Sequence, residues 1–132
     1  MELITNHFDL LYFTNCNLER PLIHDLKIVI SASQIGLLSG HPLNPQNEMI
    51  FLAKSYLIFE GVKSSVRQLT GYIEEPFGSH CFKPLAESTR IVRDDFPDIG
   101  KTVSLFSLEG SFDDPLEWVD WEIESESFYL GY

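Results

Sequence analysis

The residues able to do chemistry in this chain are few and scattered. Its four histidines, His7, His24, His41 and His80, include no pair at the spacing of a helical zinc site, and no Cys-x-x-Cys occurs. His80 and Cys81 are adjacent, which on a strand sends their side chains to opposite faces. No metal site is expected, and each histidine reads as a surface or turn residue. Cys81 as a nucleophile would need a base and an oxyanion site, and nothing in the sequence marks either. No serine stands in a Gly-x-Ser-x-Gly setting, and there is no glycine-rich phosphate loop. Glu74-Glu75 and Asp94-Asp95 lie beside turn residues and read as solvated loop charges, not as a tuned acid–base couple. The sequence thus predicts no catalytic residue, no cofactor and a protein that is not an enzyme.

One segment stands apart. In Glu117-Trp118-Val119-Asp120-Trp121-Glu122-Ile123-Glu124 polar and apolar residues alternate, which is the period of a half-buried strand. Val119, Trp121 and Ile123 form a face suited to a core, and Trp118, Asp120, Glu122 and Glu124 form the other. Asp113 and Asp114 stand in the turn just before. A polar outer face is ordinary in a sheet. Three like charges on alternate positions repel one another, however, and no Lys or Arg nearby in sequence offsets them. An exposed Trp beside acids also has the composition of a binding hot spot. The candidate partner-binding residues are therefore Trp118, Asp120, Glu122, Glu124, Asp113 and Asp114.

The charge balance sharpens this. Twenty acids against nine bases give a net charge of −11. Residues 102–132 hold eight of the acids and none of the bases, so most of the imbalance is local. Phosphate recognition needs Lys and Arg, which argues against nucleic acid or an anionic membrane as direct partner. A strongly basic protein partner fits, because charge of one sign steers association with its complement. Plain solubility is the other reading of the same number.

The elements that must position these residues read as β. A chain of 132 residues with 44 % apolar content supports one core, hence a single globular domain over 1–132. Short β-type runs at Phe8–Phe13, Leu22–Ile30, Met49–Phe59, Lys101–Leu108, Leu116–Ile123 and Phe128–Tyr132 are separated by turn residues. Val62–Ile73 carries apolar residues at helical spacing, but Gly71 and its β-branched residues favour a strand. Residues 31–47 and 74–83 read as loops, and Pro84–Arg90 could open one short helix. The predicted fold is mainly β, an antiparallel β-sandwich or curled sheet with at most one or two short helices. Trp121, Val119, Ile123, Leu57, Phe59, Ile28 and Val103 are its expected core. The start Met1–His7 lacks the basic, apolar pattern of an export signal, and runs such as Tyr56–Phe59 are far short of the ~20 residues of a membrane span. Cys16 and Cys81 are expected to be free thiols in a reducing, cytoplasmic compartment.

The pattern His24-Asp25-Leu26-Lys27-Ile28-Val29-Ile30, then Tyr56-Leu57-Ile58-Phe59-Glu60-Gly61-Val62, then the acidic-aromatic Trp121-Glu122-Ile123, resembles small β-rich immunity proteins of bacterial polymorphic-toxin systems. The resemblance covers about half of the chain. It implies a protein that binds a cognate, often basic, toxin domain and blocks it, and it assigns no binding residue here. The alternative from a different class is a small-ligand-binding or accessory β-sandwich, with its site in loops 31–47 and 74–83 and a pocket lined by His24, His41 or His80. Neither reading fixes the oligomeric state.

Overall fold

The computed structural model describes residues 1–74, 82–98, 100–113 and 116–132, with the backbone alone for 72–74 and 82–88. In chain order the strands are β1 (Leu3–Thr5), β2 (Leu11–Tyr12), β3 (Asn17–Leu18), β4 (Leu22–His24), β5 (Lys27–Ser33), β6 (Ile35–Leu37), β7 (Ile50–Leu52), β8 (Ser55–Glu74), β9 (Phe82–Asp95), β10 (Ser104–Asp113) and β11 (Leu116–Gly131). Strand accounts for most of the described residues. The one helical element among the described residues is a single 3-10 turn at Phe8–Leu10. No helix there is long and apolar enough to cross a membrane.

Two long strands organise the fold. β8 and β11 run antiparallel from Glu117 opposite Gly71 to Gly131 opposite Tyr56. Each is long enough to serve two different neighbours on its other edge. β8 takes β5 over Ser55–Glu60 and β9 from Ser64 onward. β11 takes β10 over Leu116–Ser125 and β1 over Tyr129–Gly131. The changeover coincides with an irregularity. Gly61 has φ 65°, and the β8–β11 register shifts between Glu124 and Ser125, skipping Lys63. Such a bulge bends a strand and increases its twist. Only glycine fits there, since a Cβ on Gly61 would lie 2.7 Å from the Glu126 Cβ.

β3 closes the sheet. It pairs antiparallel with β5 and parallel with β10, where Ser111 lies opposite Asn17. The ring β11–β10–β3–β5–β8 is a five-stranded barrel, with β1, β4 and β9 as extensions. Gly110 permits the closure, because a Cβ there would sit 2.8 Å from both Cys16 Sγ and Leu18 Cγ. A second sheet, β2–β6–β7, contributes Leu11, Ile35 and Leu37 to the same core.

Inside the barrel Phe8, Phe13, Phe59, Phe106 and Phe128 pack ring on ring at 5.0–6.3 Å between centroids. Trp121 is buried on the same side, its Nε1–H donating to Ser65 Oγ at 2.8 Å and its ring edge-on to Phe112. Val119, Ile123, Leu57, Phe59 and Ile28 are fully buried, as the alternation predicts.

Several expectations are corrected. The strands close into a barrel instead of remaining an open sandwich or curled sheet. Val103 is half-buried, because β10 begins one residue later. Pro84–Arg90 is strand, not helix: it pairs with β8, and a proline that lacks an N–H is tolerated on a strand whose other edge is unpaired among the described residues. Leu22–Ile30 is a hairpin, because Asp25 takes φ 53° and His24 pairs with Lys27. Phe8–Phe13 is half 3-10 turn and only Leu11–Tyr12 is strand, Met49–Phe59 is split between β7 and β8, and within the expected loop 31–47 the residues 31–33 and 35–37 are strand.

Candidate functional site: an acidic trough on the β10–β11 hairpin

Only two residues separate Asp113 from Leu116, its partner across the hairpin, and this fixes every pair behind it. Ser111 faces Trp118, Glu109 faces Asp120, Ser107 faces Glu122 and Leu105 faces Glu124. On the other side of β11 the partners are Thr70, Gln68, Val66 and Ser64. Directly opposed residues share a face of the sheet, and these rows carry no base. Arg93 lies opposite Val66 on that face, two strands from Glu122 and hence about 10 Å away by strand spacing.

Five of the six candidate residues come together on this face. Asp113, Asp120 and Glu122 are exposed. Glu124 is half-buried and accepts a hydrogen bond from Ser64 Oγ at 2.9 Å. Trp118 is half-buried, a correction to its expected exposure. Asp114 lies outside the described residues. Among the described residues no ion pair reaches Asp113, Asp120 or Glu122. The bases that could have neutralised them are committed elsewhere. Arg67, opposite Trp121 on the inner face, pairs with Asp94 at 3.3 Å and stacks 5.1 Å from the Trp121 ring. Arg90 is bound to Glu117.

Glu109 was not singled out in the sequence, yet it faces Asp120 directly. Its signal was available: a two-residue connection between alternating strands makes their register countable.

The surface is concave. The segment Leu11–Asn17 runs along the far edge of β10 and forms a wall opposite the β11 side chains. Between them β10 presents Ser107, Glu109 and Ser111. One groove of about 350 Å³ has Tyr12 and Thr14 on one side, Ser107 and Glu109 below, and Asp120 and Glu122 on the other. A second, of about 520 Å³ and more apolar, lies between Thr14–Asn17 and Trp118, with Ser111, Asp113 and Leu116. Thr14 lines both, so the two grooves adjoin along the same wall and are treated together as an acidic trough.

Beneath the apolar end sits Glu117, which the sequence reading left without a role. It is almost fully buried, and two arginines from distant parts of the chain meet it. Arg90 reaches it with two bonds of 2.6 and 3.3 Å, and Arg20 with one of 3.3 Å. Arg20 also lies 4.7 Å over the Phe112 ring.

The chemistry-bearing residues stay apart. Cys16 is a buried free thiol whose pKa burial pushes up to about 12, far from the thiolate a nucleophile needs. Cys81 and His80 lie outside the described residues. His24 is exposed, its side chain 90 % accessible. His41 lies in a turn, as expected, but is buried there. Its Nδ1 accepts the Leu43 N–H at 3.1 Å and its ring lies edge-on to His7 at 5.9 Å. Burial, then the neighbouring His7, hold its pKa below the usual 6.5. No three His, Cys, Asp or Glu side chains converge on a metal position among the described residues. Of the loops of the alternative site, 31–33 and 35–37 are strand, 38–47 is a loop as expected, and 75–81 lies outside the described residues. Searches against protein-family models, curated proteins and solved structures found no match to this chain, so the function has to be argued from the trough itself.

Proposed function

We propose that the chain is a non-catalytic protein-binding module whose acidic trough docks a strongly basic protein and occludes it. The partner is a toxin domain, in keeping with the immunity proteins the sequence resembles, and the complex forms in the cytoplasm. The observation that carries this reading is the alignment of Glu109, Asp113, Asp120 and Glu122 along one trough beside Trp118, in rows that hold no base. Like charges in register cost stability, and a complementary partner recovers that cost. The carboxylates steer the encounter and Trp118 supplies packed contact area.

The test is comparative capture from the native organism. The chain and its Asp120→Asn/Glu122→Gln variant are used as baits, and the captured protein is then purified for kinetics. A basic protein held by the first and lost by the second supports the reading. Its association should slow several-fold with the variant at low salt, and the deficit should shrink as salt screens the field. Trp118→Ala should act on dissociation instead. A partner indifferent to changes at Asp113, Trp118, Asp120 and Glu122 would refute it.

A further inference from the structure

The carboxylates of the trough do not converge. Glu109, Asp120 and Glu122 line one groove, yet no three acids of the described residues meet around a point where an ion could sit. They are instead spread along β10 and β11. On a strand, alternate residues stand about 6.8 Å apart, so Asp120 and Glu122 present charge at that interval, with Trp118 one further step along. The same interval separates alternate side chains of any extended polypeptide lying alongside. The trough is also graded, acidic at the Asp120–Glu122 end and more apolar at the Trp118–Leu116 end. A folded, isotropic basic surface would use neither the interval nor the gradient.

We propose, on the basis of the function proposed above, that the trough receives one extended segment of the basic partner. Its Lys or Arg side chains at alternate positions meet Asp120 and Glu122, and an apolar or aromatic residue of the same face enters the groove beside Trp118. The serines at 107 and 111 leave room for that segment over β10, and the Leu11–Asn17 wall keeps it in line. A second copy of this chain is a poor occupant, because residues 102–132 contain no base and the two faces would repel.

Two eight-residue probes test this, both capped and of identical composition, three lysines among five threonines: one places its lysines at alternate positions 1, 3 and 5, and the other at positions 1, 4 and 7, so that no two lie two residues apart. Binding of each to the full chain is measured by calorimetry at low salt. The alternating peptide should bind about tenfold more tightly, and Asp120→Asn/Glu122→Gln should abolish that preference. Equal affinities, both weakened by the variant, would overturn the extended segment and leave the acidic docking face standing. Binding of neither peptide, or binding unmoved by the variant, would overturn both. Sedimentation of the chain alone showing a dimer that the variant dissolves would place a second copy in the trough and likewise overturn the proposal.

Discussion

Replacing Glu117 with Gln should destabilise the fold by about 2 kcal/mol, and the route to that figure runs through the unequal burial of its partners. Removing one member of a buried ion pair costs ~3–5 kcal/mol when the other member is left stranded. Here the glutamate side chain is 4 % exposed, but Arg20 and Arg90 are 48 % and 52 % exposed. The arginines can therefore return to water, and the loss falls toward the ~1.5–3 kcal/mol of a hydrogen bond to a charged group. Gln keeps the shape and one acceptor, which holds the figure near the lower half of that range.

The arginine variants test the same account from the other side, because there the carboxylate is what remains. Arg90→Ala removes two contacts and should cost roughly 2 kcal/mol, while Arg20→Ala removes one contact and a ring stack and should cost about 1 kcal/mol. The double variant leaves a buried carboxylate with neither cation, so its loss should exceed the sum by about 1 kcal/mol or more. Urea unfolding, followed through the tryptophans and with the slope checked for constancy, measures all four. If Glu117→Gln cost less than about 0.5 kcal/mol, or the two arginine losses simply added, the three residues would not act as one buried clamp.

Three further outcomes follow from the same contacts. Trp121→Ala should cost on the order of 3–5 kcal/mol in urea unfolding, and Trp121→Phe, which strands the Ser65 hydroxyl, about 1–3 kcal/mol; a loss below 1 kcal/mol for Ala would mean that the faces of β11 are reversed. His41 is held neutral in the fold, so as pH drops below 6.5 the unfolded chain takes up a proton there that the native chain resists. Its contribution to stability is complete above that value and declines below it, and His41→Asn, which keeps an acceptor for the Leu43 N–H, should flatten that part of a melting-temperature profile. Glu109→Gln should raise stability by ~0.2–1 kcal/mol at low salt by relieving its opposition to Asp120, with the gain fading at high salt; a loss of stability would show that the pair is compensated.

How much of this was legible in the sequence depended on how local the cause was. The two faces of β11 could be read because its alternation is unbroken from Val119 to Glu124, and the bulge comes immediately after. The same bulge explains the helical spacing within β8, which was nonetheless read as a strand: buried Val62 and Leu69 lie seven residues apart because the skipped Lys63 shifts the inward set by one. Pro84 signalled a helix start by a sound local rule, which lost to pairing with β8. Asp25 in a left-handed conformation could not be foreseen from a run that is apolar on both sides of it. Barrel closure was out of reach, since the β3–β10 link rests on one parallel pair, Asn17 with Ser111, 94 residues apart. Glu117 was obscured for the same reason, because its two cations come from β9 and from the segment before β4.

The acidic face is set on a strand held from both sides and from behind. Directly behind Asp120 and Glu122, the inner face of β11 carries Val119, Trp121 and Ile123, all fully buried, and Trp121 is tied to Ser65 and covered by Arg67. β11 is also paired on both edges from Glu117 to Ser125. Opposed carboxylates could relax by fraying if they stood on a terminal strand, and the repulsion between Glu109 and Asp120 would then dissipate. On a doubly paired strand anchored by a buried Trp it cannot, so the charges stay in register and the field stays aimed outward. A solvated face with no role gains nothing from such confinement. A docking face does, because a partner then meets charges already in position and loses little conformational freedom on binding.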